Sequence, residues 1–215
     1  MPFMLPYIKA KYALLNFLYP RDLACTICGE EGVSLLSGAC THCHESLPVS
    51  PMPRHDVRSI HSICAPFSYD EPIRRLVHDF KYNNKRYLAH FFAQAMLSHL
   101  PDCDLICPVP LHPSRKRQRG YSQTNRLCEA LMIRHAPPVS LGTLARVRDT
   151  PSQTKLDRDQ RKANMQNAFR IRENVQNKTI CLIDDVATTG TTLHECAKIL
   201  LRAGAQRIDA CVIAF

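Results

Sequence analysis

One stretch decides the fold: Lys178-Thr-Ile-Cys-Leu-Ile-Asp-Asp-Val-Ala-Thr-Thr-Gly-Thr-Thr192. Ile180 to Ile183 is a short apolar run rich in β-branched residues, which predicts a strand buried on both faces. We expect this strand to end at Asp184 and Asp185. Two adjacent carboxylates are costly there unless cationic or hydroxyl groups meet them, and ligands of open α/β sheets bind at this end of the strands. The stretch therefore predicts a ligand site.

The residues after the acidic pair predict a phosphate-binding loop. Thr188-Thr-Gly-Thr-Thr192 offers small residues and many backbone N–H groups, and apolar residues at helical spacing follow it from Leu193 to Leu201. A polar loop at a helix N-terminus favours an anion. The two carboxylates can accept hydrogen bonds from vicinal hydroxyls, so together these groups describe a ribose 5-phosphate site. The alternative is a strand, turn and helix with two surface aspartates.

Length and composition allow one sizeable core and a small appendage. The chain has 215 residues, of which 45% are hydrophobic, and its eleven cysteines are an odd number in a chain too large for a disulfide scaffold. We expect most of them to be reduced. Residues 1–20 are apolar but interrupted by Lys9 and Lys11, so we predict neither a signal peptide nor a membrane span. An amphipathic helix docked on the body is expected, with peripheral membrane contact as the alternative.

The positive charge is concentrated in one third of the chain. Between Leu111 and Arg172, fourteen Lys and Arg face four acidic residues, a net charge of +10 against +9 for the whole chain. Such a segment fits either a polyphosphate ligand or a nucleic acid, and charge alone does not separate the two.

Two C-x-x-C pairs predict a metal site near the N-terminus, formed by Cys25, Cys28, Cys40 and Cys43. This spacing is typical of a tetrahedral zinc ion with four thiolate ligands, which leaves no open position and therefore indicates a structural role. His42 and His44 lie beside the pairs but are not needed as ligands. The alternative is a group of ordinary buried cysteines.

A proline-rich segment, Leu47 to Pro53, divides the chain into two predicted domains. Residues 1–53 would carry the N-terminal helix, the zinc module and the linker, and residues 54–215 the main α/β domain. Beyond the linker we expect a strand over 60–69, helices from Asp70 to Tyr82 and from about 86 to 100, and a strand over 104–107.

A basic segment follows that last strand. The turn Pro108-Val-Pro110 should aim the chain at the ligand edge of the sheet, and guanidinium groups bind phosphate oxygens in pairs. We therefore predict a pyrophosphate site made of Val109, Pro110, Arg115, Lys116 and Arg119. A solvated basic turn is the alternative. Residues 146–170 are polar and poor in core residues, which predicts a mobile flap that brings Lys155, Arg158 and Arg161 to the phosphates.

The run from Cys181 to Thr192 resembles the phosphoribosyl pyrophosphate (PRPP) motif of type I phosphoribosyltransferases. The resemblance implies a parallel sheet flanked by helices and a PRPP site with Mg²⁺. Asp184 and Asp185 would be catalytic and hold the ribose hydroxyls. The 5-phosphate would lie on the loop formed by Ala187, Thr188, Thr189, Gly190, Thr191 and Thr192.

Further motifs resemble the ComF family of competence proteins, in which a zinc-binding N-terminus precedes a phosphoribosyltransferase domain. They are Leu15-Asn-Phe-Leu-Tyr-Pro before the first cysteine pair, Phe80-Lys-Tyr, Pro108-Val-Pro-Leu-His-Pro-x-Arg, Arg119-Gly-Tyr-Ser-Gln, Arg148-x-Thr-x-x-Gln-x-x-Leu and Arg161-x-x-Asn-x-x-x-Ala-Phe. Ser122 stands where the family usually has Asn.

The ComF resemblance implies a cytoplasmic protein of DNA uptake and natural transformation, which binds single-stranded DNA beside a helicase partner. Three functions stay open. The chain is an active phosphoribosyltransferase, or a DNA-uptake factor whose PRPP site is regulatory or vestigial, or a structural adaptor organised by zinc. No residue identifies the acceptor.

Overall fold

The computed structural model describes residues 24–33, 35–36, 38–50, 53–134, 136–148 and 168–215, together with residues 6, 10, 13 and 14. The predicted helix within residues 1–20 lies mainly outside these ranges. The predicted flap residues Lys155, Arg158 and Arg161 lie outside them as well, so the flap stays a prediction.

A four-stranded parallel sheet forms the centre of the described fold, in the strand order β3-β8-β7-β4. Its strands are β3 (Ile63–Cys64), β4 (Leu105–Pro108), β7 (Thr179–Val186) and β8 (Arg207–Ala214). Two small antiparallel pairs accompany it, β1 (Leu35–Leu36) with β2 (Ala39–Cys40) and β5 (Leu144–Arg146) with β6 (Phe169–Ile171). The helices are α1 (Thr41–Glu45), α2 (Ile73–Tyr82), α3 (Leu88–Leu97), α4 (Pro113–Arg119), α5 (Gln123–Ile133) and α6 (Thr191–Arg202).

Two apolar cores lie on the two faces of the central sheet, because successive side chains of a strand point to opposite sides. On β7, Cys181 and Ile183 belong to one core, and Ile180 and Leu182 to the other. Helices α2, α3 and α5 cover the first face, and α6 covers the second. The predicted apolar stripe of α2 is confirmed: Ile73, Leu76, Val77 and Phe80 are buried. The α/β fold class predicted from the sequence is thus what the structure shows.

Several element boundaries differ from the sequence-based expectations. Strand β7 does not end at the aspartates, because Asp184 and Val186 still pair with Val212 and Ala214 of β8. The strand expected over 60–69 is reduced to Ile63–Cys64, since Ser59 has a positive φ of 68° and Pro66 lacks the N–H that a sheet needs. The helix expected over 86–100 spans only Leu88–Leu97.

The basic segment forms a short helix rather than a turn. Pro113 begins α4, where a missing N–H costs nothing, and Gly120 ends it in the left-handed conformation with φ 77°. Ser122 then caps α5 by accepting a hydrogen bond from Asn125 N. Ser and Asn are equally good N-cap residues, so the departure from the family pattern at Ser122 leaves this helix start intact.

The metal-site segment packs on the body of the protein. Cys25, Ala39, Cys40 and Cys43 are buried in the same apolar core as α2 and α3. Segment 49–67 continues this contact through bridges between Val49 and Phe67 and between Arg54 and Ile63. The domain boundary near residue 53 stays a prediction. In the described part of the chain, the longest helix has 12 residues, and none has the length and apolar composition that a bilayer span requires.

Candidate functional site

The loop between β7 and α6 has the geometry of an anion cradle. Gly190 lies at the N-cap of α6 in the left-handed conformation with φ 66°, so the helix begins at Thr191 and its first N–H groups lack partners within the helix. The Thr189 and Thr191 hydroxyls lie 3.0 Å apart. Unpaired N–H groups and the positive end of the helix dipole favour a phosphate at this position.

Arg54 binds the start of this loop through a hydrogen bond. Its Nη1 donates to the backbone oxygen of Ala187 at 3.1 Å, and its Nε and Nη2 bind both oxygens of Asp56. The Arg54 guanidinium lowers the pKa of the Asp56 carboxyl, so the pair stays charged. His194 of α6 also bonds to this segment, with Nδ1 2.6 Å from Arg58 O. The segment around residues 54–58 thus fixes the loop against the body.

The acidic pair lies beside this loop and is not free of partners. Lys81, in the last turn of α2, places Nζ 2.9 Å from Asp185 Oδ1, with 19% and 16% of the two side chains exposed. Burial alone would lower the pKa of Lys81, but Asp185 and Asp184 together raise it. Asp184 accepts from Asp185 N at 2.9 Å. Burial, and then the neighbouring Asp185 charge, raise the pKa of Asp184 to about 7.

A cavity of about 470 Å³ joins the acidic pair, the loop and the basic segment. Its lining holds four basic and two acidic side chains, namely Lys81, Arg115, Arg119, Arg146, Asp184 and Asp185. The excess of positive charge fits an anion that carries several phosphates, and the carboxylates fit hydroxyl donors. The cavity therefore has the chemistry of a phosphorylated sugar site.

Contacts with an aromatic ring and a side-chain amide fix the position of Arg119 in the cavity lining. Arg119 stacks on Tyr82, with Cζ 4.9 Å from the ring centroid, and donates to Tyr82 Oη and Gln123 Oε1 at 3.2 and 3.1 Å. Thr124 Oγ1 donates to the carbonyl of Val109, which fixes the turn after β4. Tyr121 donates to the Phe80 carbonyl and so ties α2 to the segment before α5.

Of the thirteen residues predicted for the PRPP site that the structure describes, eight are brought together here. The cavity is lined by Val109, Pro110, Arg115, Arg119, Asp184, Asp185, Thr188 and Thr192. The other predicted residues, Lys116, Ala187, Thr189, Gly190 and Thr191, lie outside the lining. Ala187 is buried and its N–H donates to Ala214 O. The individual roles of these residues remain predictions.

Eight lining residues were not predicted as site residues, and Lys81, Tyr82 and Arg146 are among them. Lys81 and Tyr82 read as the end of a helix, and their place in the Phe80-Lys-Tyr motif was the available signal. Arg146 was counted as the first residue of the flap, but it lies on β5, is buried, and has its Cζ 5.6 Å from the Phe169 ring centroid. Its charge helps to lower the pKa of Asp184 against the effect of burial.

The four N-terminal cysteines also converge, as the spacing predicted. Their Sγ atoms all lie within 4.8 Å of one another, and Cys28 Sγ and Cys40 Sγ are 3.9 Å apart. Tetrahedral zinc with four Zn–S bonds of about 2.3 Å places its sulphur atoms roughly 3.8 Å apart, so this cluster can hold zinc.

The thiol pKa values agree with a cation site. Burial opposes ionisation of Cys25, but hydrogen bonds from the backbone of Cys28, Cys40 and Ile27 outweigh it and lower its pKa to about 6. Burial and the neighbouring thiols raise the pKa of Cys43 to about 12. One thiolate thus makes the others harder to form, and a bound cation would remove that repulsion.

Known proteins resemble this chain in sequence. The sequence model of one protein family, the phosphoribosyl transferase domain, matches residues 92–215. "DNA utilization protein YhgH" of Salmonella typhi is 35% identical over 150 residues, which cover 66% of this chain and 66% of that protein. "Competence protein F" of Haemophilus influenzae is 30% identical over 153 residues, which cover 66% of this chain and 67% of that protein.

A solved structure titled as the allosteric regulatory enzyme of purine biosynthesis matches with 18% identity over 63% of this chain and 30% of that one, at a TM-score of 0.39. The fold assignment rests instead on the family match, which covers more than half of the chain, and on the parallel sheet. The resemblance to competence proteins noted in the sequence is confirmed by the relatives. The chain therefore belongs to the phosphoribosyl transferase domain family and, within it, to the ComF group of competence proteins.

Proposed function

We propose that this protein binds PRPP as a phosphoribosyltransferase-like protein of DNA uptake and that it contacts single-stranded DNA in the cytoplasm. The observation that carries the proposal is the 470 Å³ cavity, in which two aspartates, the threonine-glycine loop and two arginines of the segment after β4 meet. The names of the relatives, a DNA utilization protein and a competence protein, support the role in DNA use.

Each wall of the cavity has one task in this proposal. The loop of residues 188–192 binds the 5-phosphate through its N–H groups, whereas the Ala187 N–H already donates to Ala214 O. Asp184 and Asp185 accept hydrogen bonds from the ribose hydroxyls and stabilise positive charge that develops at the anomeric carbon. Arg115 and Arg119 bind the pyrophosphate and stabilise it as it departs. The flap residues Lys155, Arg158 and Arg161 would close over the ligand and exclude water.

Two metals belong to the proposal. Zinc on Cys25, Cys28, Cys40 and Cys43 has a structural role, because four thiolates leave no open position for a substrate. Mg²⁺, which prefers phosphate oxygens and water, would arrive with PRPP and supply positive charge to its pyrophosphate.

A surface that shares Tyr82 and Arg119 with the cavity lining supports DNA contact. Tyr82 is 60% exposed and stacks with Arg119, and Lys116 and Arg117 of α4 are also exposed. Exposed aromatic rings next to cations bind single-stranded nucleic acid, since bases stack on the ring and phosphates meet the charges. A helicase partner would then act on the same strand.

The decisive experiment separates the PRPP site from the DNA surface. One variant, Asp184→Asn/Asp185→Asn, changes the acidic pair, and another, Arg117→Gln, removes an exposed charge that lies outside both the cavity lining and the predicted pyrophosphate site. PRPP binding is measured by calorimetry, pyrophosphate release with candidate bases and nucleic acids, and DNA affinity at several salt concentrations. We expect the first variant to lose PRPP, and the second to keep PRPP but lose DNA affinity and part of its salt dependence.

Two alternatives give different results in the same experiment. An active phosphoribosyltransferase of base metabolism without a DNA role would release pyrophosphate with a free base and show no DNA binding. A DNA-binding adaptor with a vestigial PRPP site would bind DNA while ignoring PRPP. Wild-type protein that binds neither ligand would overturn the proposal.

A further inference from the structure

Lys81 occupies an unusual position for a helix-terminal lysine. It does not pair with a residue of its own helix but reaches across to β7, where Nζ lies 2.9 Å from Asp185 Oδ1. Both side chains line the cavity and are mostly buried. Lys85, a few residues later, gives a direct comparison: it pairs with Asp79 at 2.7 Å, is 43% exposed and lies outside the lining.

The Lys81–Asp185 ion pair is not expected to contribute much to the free energy of folding. Removing two charges from water costs several kcal/mol per ion, and the attraction between them often only offsets that cost. Because an apolar pair of similar size would serve the fold as well, a charged pair in this cavity indicates a binding role. Lys81 keeps its charge at neutral pH, since Asp185 and Asp184 raise its pKa despite burial.

The acidic pair does not form a divalent-cation site by itself. In the ranges that the structure describes, a group of three or more possible metal ligands occurs only at the four cysteines. Asp185 is already bound by Lys81, and Asp184 accepts from a backbone N–H. Mg²⁺ usually needs carboxylates and substrate phosphates together. A ligand without pyrophosphate would leave it with few partners.

We propose that Lys81 is the built-in cation of the ribose site, donating from Nζ to Asp185 and to the ribose hydroxyl beside it. This inference rests on the proposed binding of a phosphorylated ribose and adds a prediction about its metal requirement. Ribose 5-phosphate, which lacks the pyrophosphate, is held without a divalent cation. The ammonium has three donors, so it can serve the carboxylate and a hydroxyl at once.

The test is calorimetric binding of ribose 5-phosphate and PRPP, each in EDTA and in millimolar MgCl₂. The proteins are the wild type, Lys81→Met, Lys81→Arg and, as matched control, Lys85→Met, each checked by circular dichroism for a folded state. We expect wild-type affinity for ribose 5-phosphate to be equal in EDTA and in MgCl₂. Lys81→Met should weaken that affinity about tenfold or more, because one charge-assisted hydrogen bond is lost. Lys81→Arg should recover part of the affinity for ribose 5-phosphate, and Lys85→Met should leave it unchanged.

The other outcomes are informative in different ways. If Lys81→Met binds ribose 5-phosphate as tightly as the wild type, or more tightly, Lys81 blocks the site rather than serving it, and the inference is wrong. If the wild type binds ribose 5-phosphate only with MgCl₂, the inference is also wrong, although the proposed function stands. If the wild type binds neither sugar phosphate in either buffer, the proposed function itself fails.

Discussion

Gly190 packs its backbone directly against the side chain of Val57. A Cβ added at Gly190 would lie 2.4 Å from Val57 Cγ2, well inside contact distance, and the residue has a φ of +66°. The loop between β7 and α6 therefore packs against the segment that follows the predicted linker. Both the space and the backbone conformation require glycine here.

Gly190→Ala should destabilise the protein and weaken PRPP binding. The left-handed conformation alone costs an alanine about 1–2 kcal/mol, and the contact with Val57 adds to this cost. Thermal unfolding with and without PRPP measures both effects. In a Val57→Ala background the same substitution should cost less, because only the conformational part remains.

Gly204→Ala is the matched control for that prediction. Gly204 also has a positive φ, of +91°, but an added Cβ would come no closer than 3.4 Å to Gln176, which is an ordinary van der Waals contact. This variant should lose stability without a change in PRPP affinity. Equal effects of Gly190→Ala in the two Val57 backgrounds would show that the close contact is unimportant.

Arg54→Met should make the loop between β7 and α6 more mobile without unfolding the protein. The substitution removes the hydrogen bond to Ala187 O and leaves Asp56, which is exposed and easily hydrated. We expect faster amide hydrogen exchange at residues 187–190 and several-fold weaker PRPP binding. The reason is that the lost hydrogen bond stabilises the ordered loop by about 1–2 kcal/mol. Arg74→Met, which removes an exposed pair with Glu71, is the control. Unchanged exchange in the loop would contradict the bracing role.

The contribution of Asp184 to the stability of the wild type should fall as pH rises from about 4 to 7. The folded state raises the pKa of Asp184 from 3.8 to about 7, so it binds the proton more tightly than the unfolded state does. Ionisation of Asp184 in this window therefore costs folding free energy, at most about 4 kcal/mol, and the cost levels off above pH 7.

Asp184→Asn isolates that effect, because asparagine resembles the protonated acid at every pH. The unfolding temperature of the variant minus that of the wild type should increase between pH 4 and pH 8. Titrating groups far from Asp184 are common to both proteins and cancel in the difference, whereas Asp185 and Lys81, which interact with Asp184, contribute to it. Parallel curves would mean that Asp184 titrates in the folded protein as it does in the unfolded chain.

The cysteine cluster should bind one zinc ion per chain, and Cys28→Ser should reduce that content. Cys28 is exposed, so its substitution removes a ligand with little loss of packing. Elemental analysis of the purified protein and its unfolding temperature after chelation measure the effect. We expect a lower unfolding temperature, because Cys25, Cys40 and Cys43 belong to the core that also holds α2 and α3.

The control for the zinc prediction is Cys64→Ser, which lies on β3 outside the cluster. It should keep the full zinc content. Zinc that stays bound after Cys28→Ser, or a wild type that purifies without metal and melts unchanged after chelation, would speak against the predicted structural ion.

The sequence predicted the parts of the fold that depend on local patterns. The strand at Ile180 to Ile183, the buried stripe of α2 and the convergence of the four cysteines follow from strand period, helical spacing and ligand spacing. The loop after Asp185 was also predicted as a candidate site, because ligands of open α/β sheets bind at the carboxyl ends of the strands.

The contacts that depend on tertiary packing were not predictable in this way. Nothing local connects Arg54 with Ala187, which are 133 positions apart, or Lys81 with Asp185. Arg146 lies in a charged stretch, yet pairing of β5 with β6 buries it against Phe169. Spacing reports which residues share a strand or helix face, whereas these contacts are set by how separate elements meet at the edge of the sheet.

The proposed function requires that the aspartates at the C-terminal end of β7 and the loop after them bind PRPP. Calorimetric titration of PRPP into the wild type, Asp184→Asn/Asp185→Asn and Asp102→Asn tests this requirement. Asp102→Asn is the control, because Asp102 is exposed and precedes β4, at the N-terminal end of the parallel strands. We expect saturable binding to the wild type and to Asp102→Asn, and affinity at least about tenfold weaker for the double variant. Equal affinity of all three proteins, or no binding to the wild type, would contradict it.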